Sequence, residues 1–118
     1  MIISMSVKPS HDPLPPALLE AVAERFRVLA APSRLRILDS LLQGPLGMAE
    51  LASATGLAQS NLSRHVAELE RGGCVRRIRD GRRVTVEVAD ESLAQLCELV
   101  CGSMRAAAED RQRRFAAP

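Results

Sequence analysis

Residues 48–88 read MAELASATGLAQSNLSRHVAELERGGCVRRIRDGRRVTVEV, and two periods within this run decide the fold. The first is helical. Met48, Leu51 and Ala52 lie on one helix face, and the segment MAELASATG closes at Gly56, a residue suited to a helix C-terminus. After only a few residues a second helix, from about Gln59 to Arg71, presents Leu62, Val66 and Leu69 and closes at Gly72-Gly73. Two helices joined by a tight, glycine-bearing turn form a helix-turn-helix. The second period is two. Val84, Val86 and Val88 alternate with Arg83, Thr85 and Glu87, and the run Val75 to Arg79 joins them through Asp80-Gly81, a strong hairpin signal. A two-stranded wing should therefore follow the helix pair.

Outward from this run, two more helices precede it and one follows. Leu18, Leu19, Val22, Phe26 and Leu29 recur at helical spacing behind Pro15 and Pro16, which a first turn tolerates. A helix after Ala31-Pro32 carries Leu35, Leu38, Leu41 and Leu42 and stops at Gly44-Pro45. Beyond the wing, Asp90 can cap a long helix whose stripe is Leu93, Leu96, Cys97, Val100, Met104, Ala107 and Ala108, ending in the charged RQRR segment. The predicted order is ααααββα, mainly α with a small β-hairpin: a winged helix-turn-helix. Its boundaries are a flexible leader at 1–14, the domain at 15–113 and a tail at 114–118. A strand-free bundle is the alternative, and the alternating valines argue against it.

The chain has 118 residues, of which 47% are hydrophobic and 25% charged, an ordinary composition for one globular domain. A multidomain enzyme and a disordered chain are both excluded. No stretch approaches the roughly 18–20 apolar residues of a membrane span. The only aromatic residues are Phe26 and Phe115, so the core must come from Leu, Val, Ile, Ala and Met. A domain this small, without Trp, Tyr or disulfides, often completes its core by dimerising. Residues 1–16 show no secretory signal, which predicts a cytoplasmic location with Cys74, Cys97 and Cys101 reduced. No nucleophile–base pair, paired carboxylates or phosphate-binding glycine loop can be assembled, so no enzyme is expected.

The formal charge of +2 is unevenly placed: residues 57–89 hold seven arginines against four carboxylates, and the flanking segments are close to neutral. Fifteen of the sixteen basic residues are Arg, whose forked donors suit phosphate and base edges. Opposite the apolar side of the 59–71 helix lie Ser60, Ser63, Arg64, Ala67 and Arg71, with Gln59 and Asn61 at its start. Gln and Asn pair with adenine, Arg with guanine, and Ser with a base edge or phosphate, so this helix suits double-stranded DNA. His65 lies between the two faces and fits packing or a phosphate contact better than a metal. Arg79, Arg82 and Arg83 around the wing turn would reach the backbone or a minor groove. Arg71, Arg76 and Arg77 can instead pair with Glu68, Glu70 or Glu87.

The runs AAPSRLRILDSLLQGP and MAELASATGLAQSNLSRHVAELERGGCVRRIRDGRRVTVEV resemble the bacterial ArsR/SmtB repressors, with Pro32, Arg34, Leu35, Ile37, Leu38, Ser63, His65, Val66, Leu69, Gly73, Val75, Arg79, Gly81 and Arg82 in the pattern positions. The resemblance spans roughly residues 18–110. It implies a homodimer through the first and last helices, an imperfect palindromic operator, and release of DNA when an effector binds. Three departures follow. The C-x-C metal motif of the arsenic branch falls on Gly47 and Ala49, and the last helix has none of the His residues of the zinc site. Ala58 stands where many relatives have Ser, which leaves capping of the recognition helix to Ser60 or water.

The effector must then be sought among the thiols. Cys97 and Cys101 are four apart on one helix face, with Cβ atoms roughly 5–6 Å apart. Measured from Leu93, they lie at about 40° and 80°, so one is in the apolar stripe and the other at its margin. They are either small interface hydrophobes or a soft-ion site, and their ligand spacing within this family favours the site. Cys74 is a core residue by position and a candidate third ligand. The thiophilic effector expected is As(III) or Sb(III), with Cd, Pb, Hg and Zn as further candidates and Mg and Ca excluded. The alternatives are a redox or reactive-sulfur sensor using the same cysteines, and a repressor with no small effector. A direct disulfide within one helix turn is disfavoured because the Cβ atoms must approach to about 3.8 Å.

Overall fold

The computed structural model describes residues 12–116. The elements are α1 (Pro16–Leu29), α2 (Pro32–Leu41), β1 (Leu46–Gly47), α3 (Met48–Thr55), α4 (Gln59–Arg71), β2 (Val75–Asp80), β3 (Arg83–Val88) and α5 (Glu91–Ala116). Every expected helix and both wing strands are present. One strand was not expected: β1 pairs antiparallel with β3, giving a three-stranded sheet of order β1-β3-β2. A two-residue strand has no period to read, so only its tertiary partner reveals it. Of the expected leader, residues 1–11 lie outside the described residues, and 12–14 carry neither helix nor strand. At the other end α5 continues through Ala116, past the expected domain boundary at 113; the last two tail residues lie outside the described ones. Nothing in the run after Arg113 breaks a helix until Pro118.

The wing turn is displaced by one residue from Asp80-Gly81. Asp80 pairs with Arg83, so the loop is Gly81-Arg82, with Gly81 at φ 64° and no non-glycine residue at positive φ among those described. That is the dihedral pattern of a type II′ turn, which needs glycine first and accepts Arg second. Arg82 is thereby carried to the tip.

The core gathers Ile37, Leu38 and Leu41 of α2, Leu51 of α3, Leu62, Val66 and Leu69 of α4, Val75 and Val86 of the wing, and Leu93 and Cys97 of α5. On α2 the buried arc is turned from the one expected: Ile37 is wholly enclosed, while Leu35 remains 43% exposed. This helix packs on α1, α3, α4 and α5, so a single amphipathic stripe underestimates what it covers. Another face stays open. Leu18, Leu19, Val22 and Phe26 of α1 and Val100 and Met104 of α5, all members of the expected apolar stripes, are exposed in the single chain, as is Leu99 beside them.

Candidate nucleic-acid interface and thiol cleft

Both ends of the helix-turn-helix are pinned by backbone chemistry. At the turn, Gly56 adopts φ 73° and its N–H donates to the Ala52 carbonyl at 2.9 Å. The buried Thr55 hydroxyl donates to the Leu51 carbonyl at 2.7 Å and accepts from the Leu57 N–H at 3.3 Å, while Arg36 donates to the Thr55 carbonyl at 3.1 Å. Thr55 and Arg36 were not singled out in the sequence, because nothing in the spacing shows that a polar pair closes this turn. At the far end of α4, Cys74 N–H donates to Leu69 and Gly73 N–H to Glu70, with Gly73 at φ 75°. These are the two bonds of a Schellman motif. Cys74 occupies its apolar position beside Leu69, both fully enclosed, and burial pushes the Cys74 thiol above its ordinary pKa.

With α4 held in this way, Gln59, Ser60, Asn61, Ser63 and Arg64 stand exposed on its outer face. Arg64 donates to the Asn61 side-chain oxygen at 3.3 Å, so the amide and the guanidinium sit side by side. Ala58 caps the helix without a side-chain bond, and Ser60 does not take over that role. Ser60 is already inside the first turn, too late to bend back to the free N–H groups.

His65 is placed differently from its neighbours. It is partly buried and accepts a hydrogen bond at Nδ1 from Arg34 Nε at 3.3 Å; Arg34 also donates to the Val28 carbonyl of α1 at 3.1 Å. A single guanidinium thus joins α1, α2 and the outer helix. Burial first, then Arg64 and Arg34, hold the His65 pKa below its ordinary value, against a smaller opposing pull from Glu68.

Carboxylates divide the arginines. Arg71 pairs with Glu68, Arg76 with Glu87 at 2.5 Å, Arg77 with Glu70 at 3.1 Å, and Arg83 with Glu50 at 3.2 Å. Arg83, expected to be free at the wing turn, is therefore tied to α3. Glu50 also accepts the Gly47 N–H at 2.8 Å, so one carboxylate serves the start of α3 and the wing. Among the described residues, Arg64, Arg79 and Arg82 have no carboxylate partner; each is exposed, one on α4 and two on the wing.

The other site lies where α1 and α2 meet α5. Phe26, Leu29, Ala30, Leu35, Leu96, Val100 and the two cysteines line one open cleft of about 330 Å³. Cys97 is buried and Cys101 exposed, as their helix angles predicted. Burial raises the Cys97 pKa, and the neighbouring Cys101 adds to the effect. No group of three or more His, Cys, Asp or Glu among the described residues could hold a metal ion. Cys74 does not line the cleft, and its sulfur lies 3.8 Å from the Gly72 carbonyl.

A helix pair presenting polar readers, flanked by a cationic hairpin, defines a winged helix-turn-helix DNA-binding regulator. The model of bacterial regulatory proteins of the arsR family matches residues 31–77. The transcriptional regulator CmtR of Mycobacterium tuberculosis is 43% identical over 81 residues, covering 68% of this chain and 69% of that protein. The chain belongs to the ArsR family. Its regulators act on DNA and are not enzymes.

Among solved structures, the homodimeric winged helix-turn-helix domain of Mb0332 from Mycobacterium bovis is 33% identical at a TM-score of 0.69, covering 88% of this chain and 91% of that one. The AntR antimony-specific transcriptional repressor is 27% identical at a TM-score of 0.76, covering 90% and 99%. Another relative, the regulator Rv0324 of M. tuberculosis, is longer: the match is 39% identical and takes in 71% of this chain but 37% of that protein. No helix among the described residues is long and apolar enough to cross a membrane.

Proposed function

We propose that this protein is a homodimeric repressor that reads an imperfect palindromic operator and leaves it when a thiophilic ion, As(III) or Sb(III), joins Cys97 to Cys101. The observation that carries the effector assignment is that both thiols line one cleft, four residues apart on α5. The likeness to an antimony-specific repressor across 90% of this chain supports the same class of ion. The two sulfurs fit a soft ion of low coordination, completed by an oxygen ligand, better than a four-coordinate zinc.

In this reading Gln59 and Asn61 meet adenine, Arg64 guanine, and Ser60 and Ser63 base edges or phosphate. Arg79 and Arg82 hold the DNA backbone, Arg83 sets the wing against α3, and His65 orients α4 through Arg34. The exposed faces of α1 and α5 meet their copies in the dimer. Bound ion supplies a bridge between the two sulfurs. Cys97 is packed in the core and Cys101 is not, so drawing them together shifts α5 against Phe26 and Leu29. A shift in the dimer seam changes the separation of the two α4 helices, and a half-site match is lost.

Reduced protein on labelled operator, followed by fluorescence anisotropy and titrated separately with arsenite, antimonite, cadmium, zinc and a persulfide donor, tests this. Release by arsenite or antimonite, lost in Cys97→Ser and Cys101→Ser, is the expected result. Release by the persulfide donor alone would overturn the ion in favour of sulfur chemistry.

A further inference from the structure

The two ring nitrogens of His65 face different surroundings. Nδ1 accepts from Arg34 Nε at 3.3 Å. Nε2 has no hydrogen-bond partner among the described residues, and no buried side-chain nitrogen or oxygen among them lacks one, so Nε2 opens to solvent. A nitrogen that accepts a hydrogen bond carries no proton, which places the ring proton on Nε2. His65 is therefore a neutral imidazole whose single N–H points out of the protein, beside the exposed Ser63 and Arg64.

The surrounding charges enforce this form. Arg34 reaches the ring from α2, and α4 itself adds Arg64 and Glu68; among the described residues α1, α3 and β2, the other elements packed on α4, bring no charge that acts on it. A proton added at Nδ1 would remove the acceptor of the Arg34 bond and set a third cation beside Arg34 and Arg64. Arg34 is not free to turn aside, since its Nη1 also donates to the Val28 carbonyl at 3.1 Å.

We propose that Arg34 is a positioning residue for DNA binding: it locks His65 as the neutral Nε2–H tautomer, so that His65 donates to a backbone phosphate without taking up or releasing a proton. This rests on α4 being the helix laid on DNA. A recognition helix in the major groove has phosphates along its flanks, and His65 stands on the flank between the reading row and the buried row. The positive charge behind the contact belongs to a guanidinium, which does not titrate. Arg34 polarises the ring and strengthens its outer N–H as a donor. Without Arg34 the same phosphate would favour the imidazolium, and DNA affinity would follow pH across the neutral range.

The test uses the full chain with His11→Gln in every protein, which leaves His65 as the only imidazole. Long-range 1H–15N spectra should place the ring proton on Nε2 from pH 8 to pH 6, and the Nε2 signal should move when random-sequence duplex is added. Anisotropy on that duplex at fixed salt should give an affinity constant to within about twofold over the same range. In Arg34→Met the affinity should instead rise roughly tenfold or more per dimer from pH 8 to pH 6, as each chain takes up a proton on binding. Arg34→Gln keeps an N–H donor for Nδ1 and should restore the flat profile. Melting temperature shows which variants fold.

A proton on Nδ1 at neutral pH would overturn the inference, as would an affinity that climbs with acid while Arg34 is present. A flat profile in folded Arg34→Met overturns it too. Duplex bound with the Nε2 signal unmoved removes the phosphate contact and leaves α4 standing as the DNA-reading helix; both spectral results decide even if Arg34→Met does not fold. If none of the proteins binds duplex, that reading of α4 falls as well.

Discussion

Removing Arg79 and Arg82 together tests whether the wing is a clamp on the DNA backbone. Both are exposed and without a carboxylate partner among the described residues, whereas Arg76 and Arg77 are held by Glu87 and Glu70. Only unpaired arginines can exchange counterions for phosphate at full effect. A dimer of the double alanine variant loses four such cations. At about 0.9 counterions per phosphate, the slope of log K against log salt should become shallower by about 3.6. Between 50 and 200 mM salt the unaltered protein would then lose roughly 150-fold more affinity than the variant. Random-sequence duplex suffices for the anisotropy assay, because backbone contacts carry no sequence information. Melting temperature serves as the control, since an exposed substitution changes stability by no more than about 0.5 kcal/mol. The pair Arg76→Ala, Arg77→Ala should alter the slope less than half as much. An unchanged slope in the Arg79, Arg82 variant, with an unchanged melting temperature, would refute the wing as a phosphate contact.

Three further outcomes follow from the packing. Leu62→Ala empties a fully enclosed position between α4 and the rest of the core, and should cost about 2–5 kcal/mol in denaturant unfolding. Gly81→Ala places a Cβ at φ 64° with no clash nearby, so the loss should be the backbone strain alone, about 1–2 kcal/mol; a neutral result would show that the turn relaxes. His65 has a folded-state pKa below its ordinary 6.5, so the unfolded chain binds the proton first as pH falls. Its contribution is therefore complete above about pH 6.5 and is lost as pH drops toward the folded value. His65→Gln should flatten stability against pH in that window, and a curve of unchanged shape would contradict the assignment.

The helix pair and wing were legible because each carries its own period: Leu62, Val66 and Leu69 at helical spacing, Val84, Val86 and Val88 at alternate positions. The exposed polar row of α4 was legible for the same reason, being the complement of its buried row. Charge pairing was not. Arg79 and Arg83 flank the same turn and look alike in sequence, yet Glu50, thirty-three residues before Arg83, neutralises only that one. His65 carries the family pattern, but its hydrogen bond comes from Arg34, thirty-one residues away. β1 was invisible because two residues hold no period, and the turn register because Asp80-Gly81 and Gly81-Arg82 both contain the necessary glycine.

By itself the sequence determined the order of helices, the wing, the i,i+4 spacing of Cys97 and Cys101, and the positive segment at 57–89, all local properties of a chain with fixed backbone periods. Only the tertiary structure decided which arginines keep their charge free, that Cys74 belongs to the end of α4, and that the two remaining thiols open into a hydrocarbon-walled cleft. Those outcomes depend on which side chains from distant segments arrive at the same place, and hydrophobic packing sets that arrangement only once α1, α2 and α5 close together.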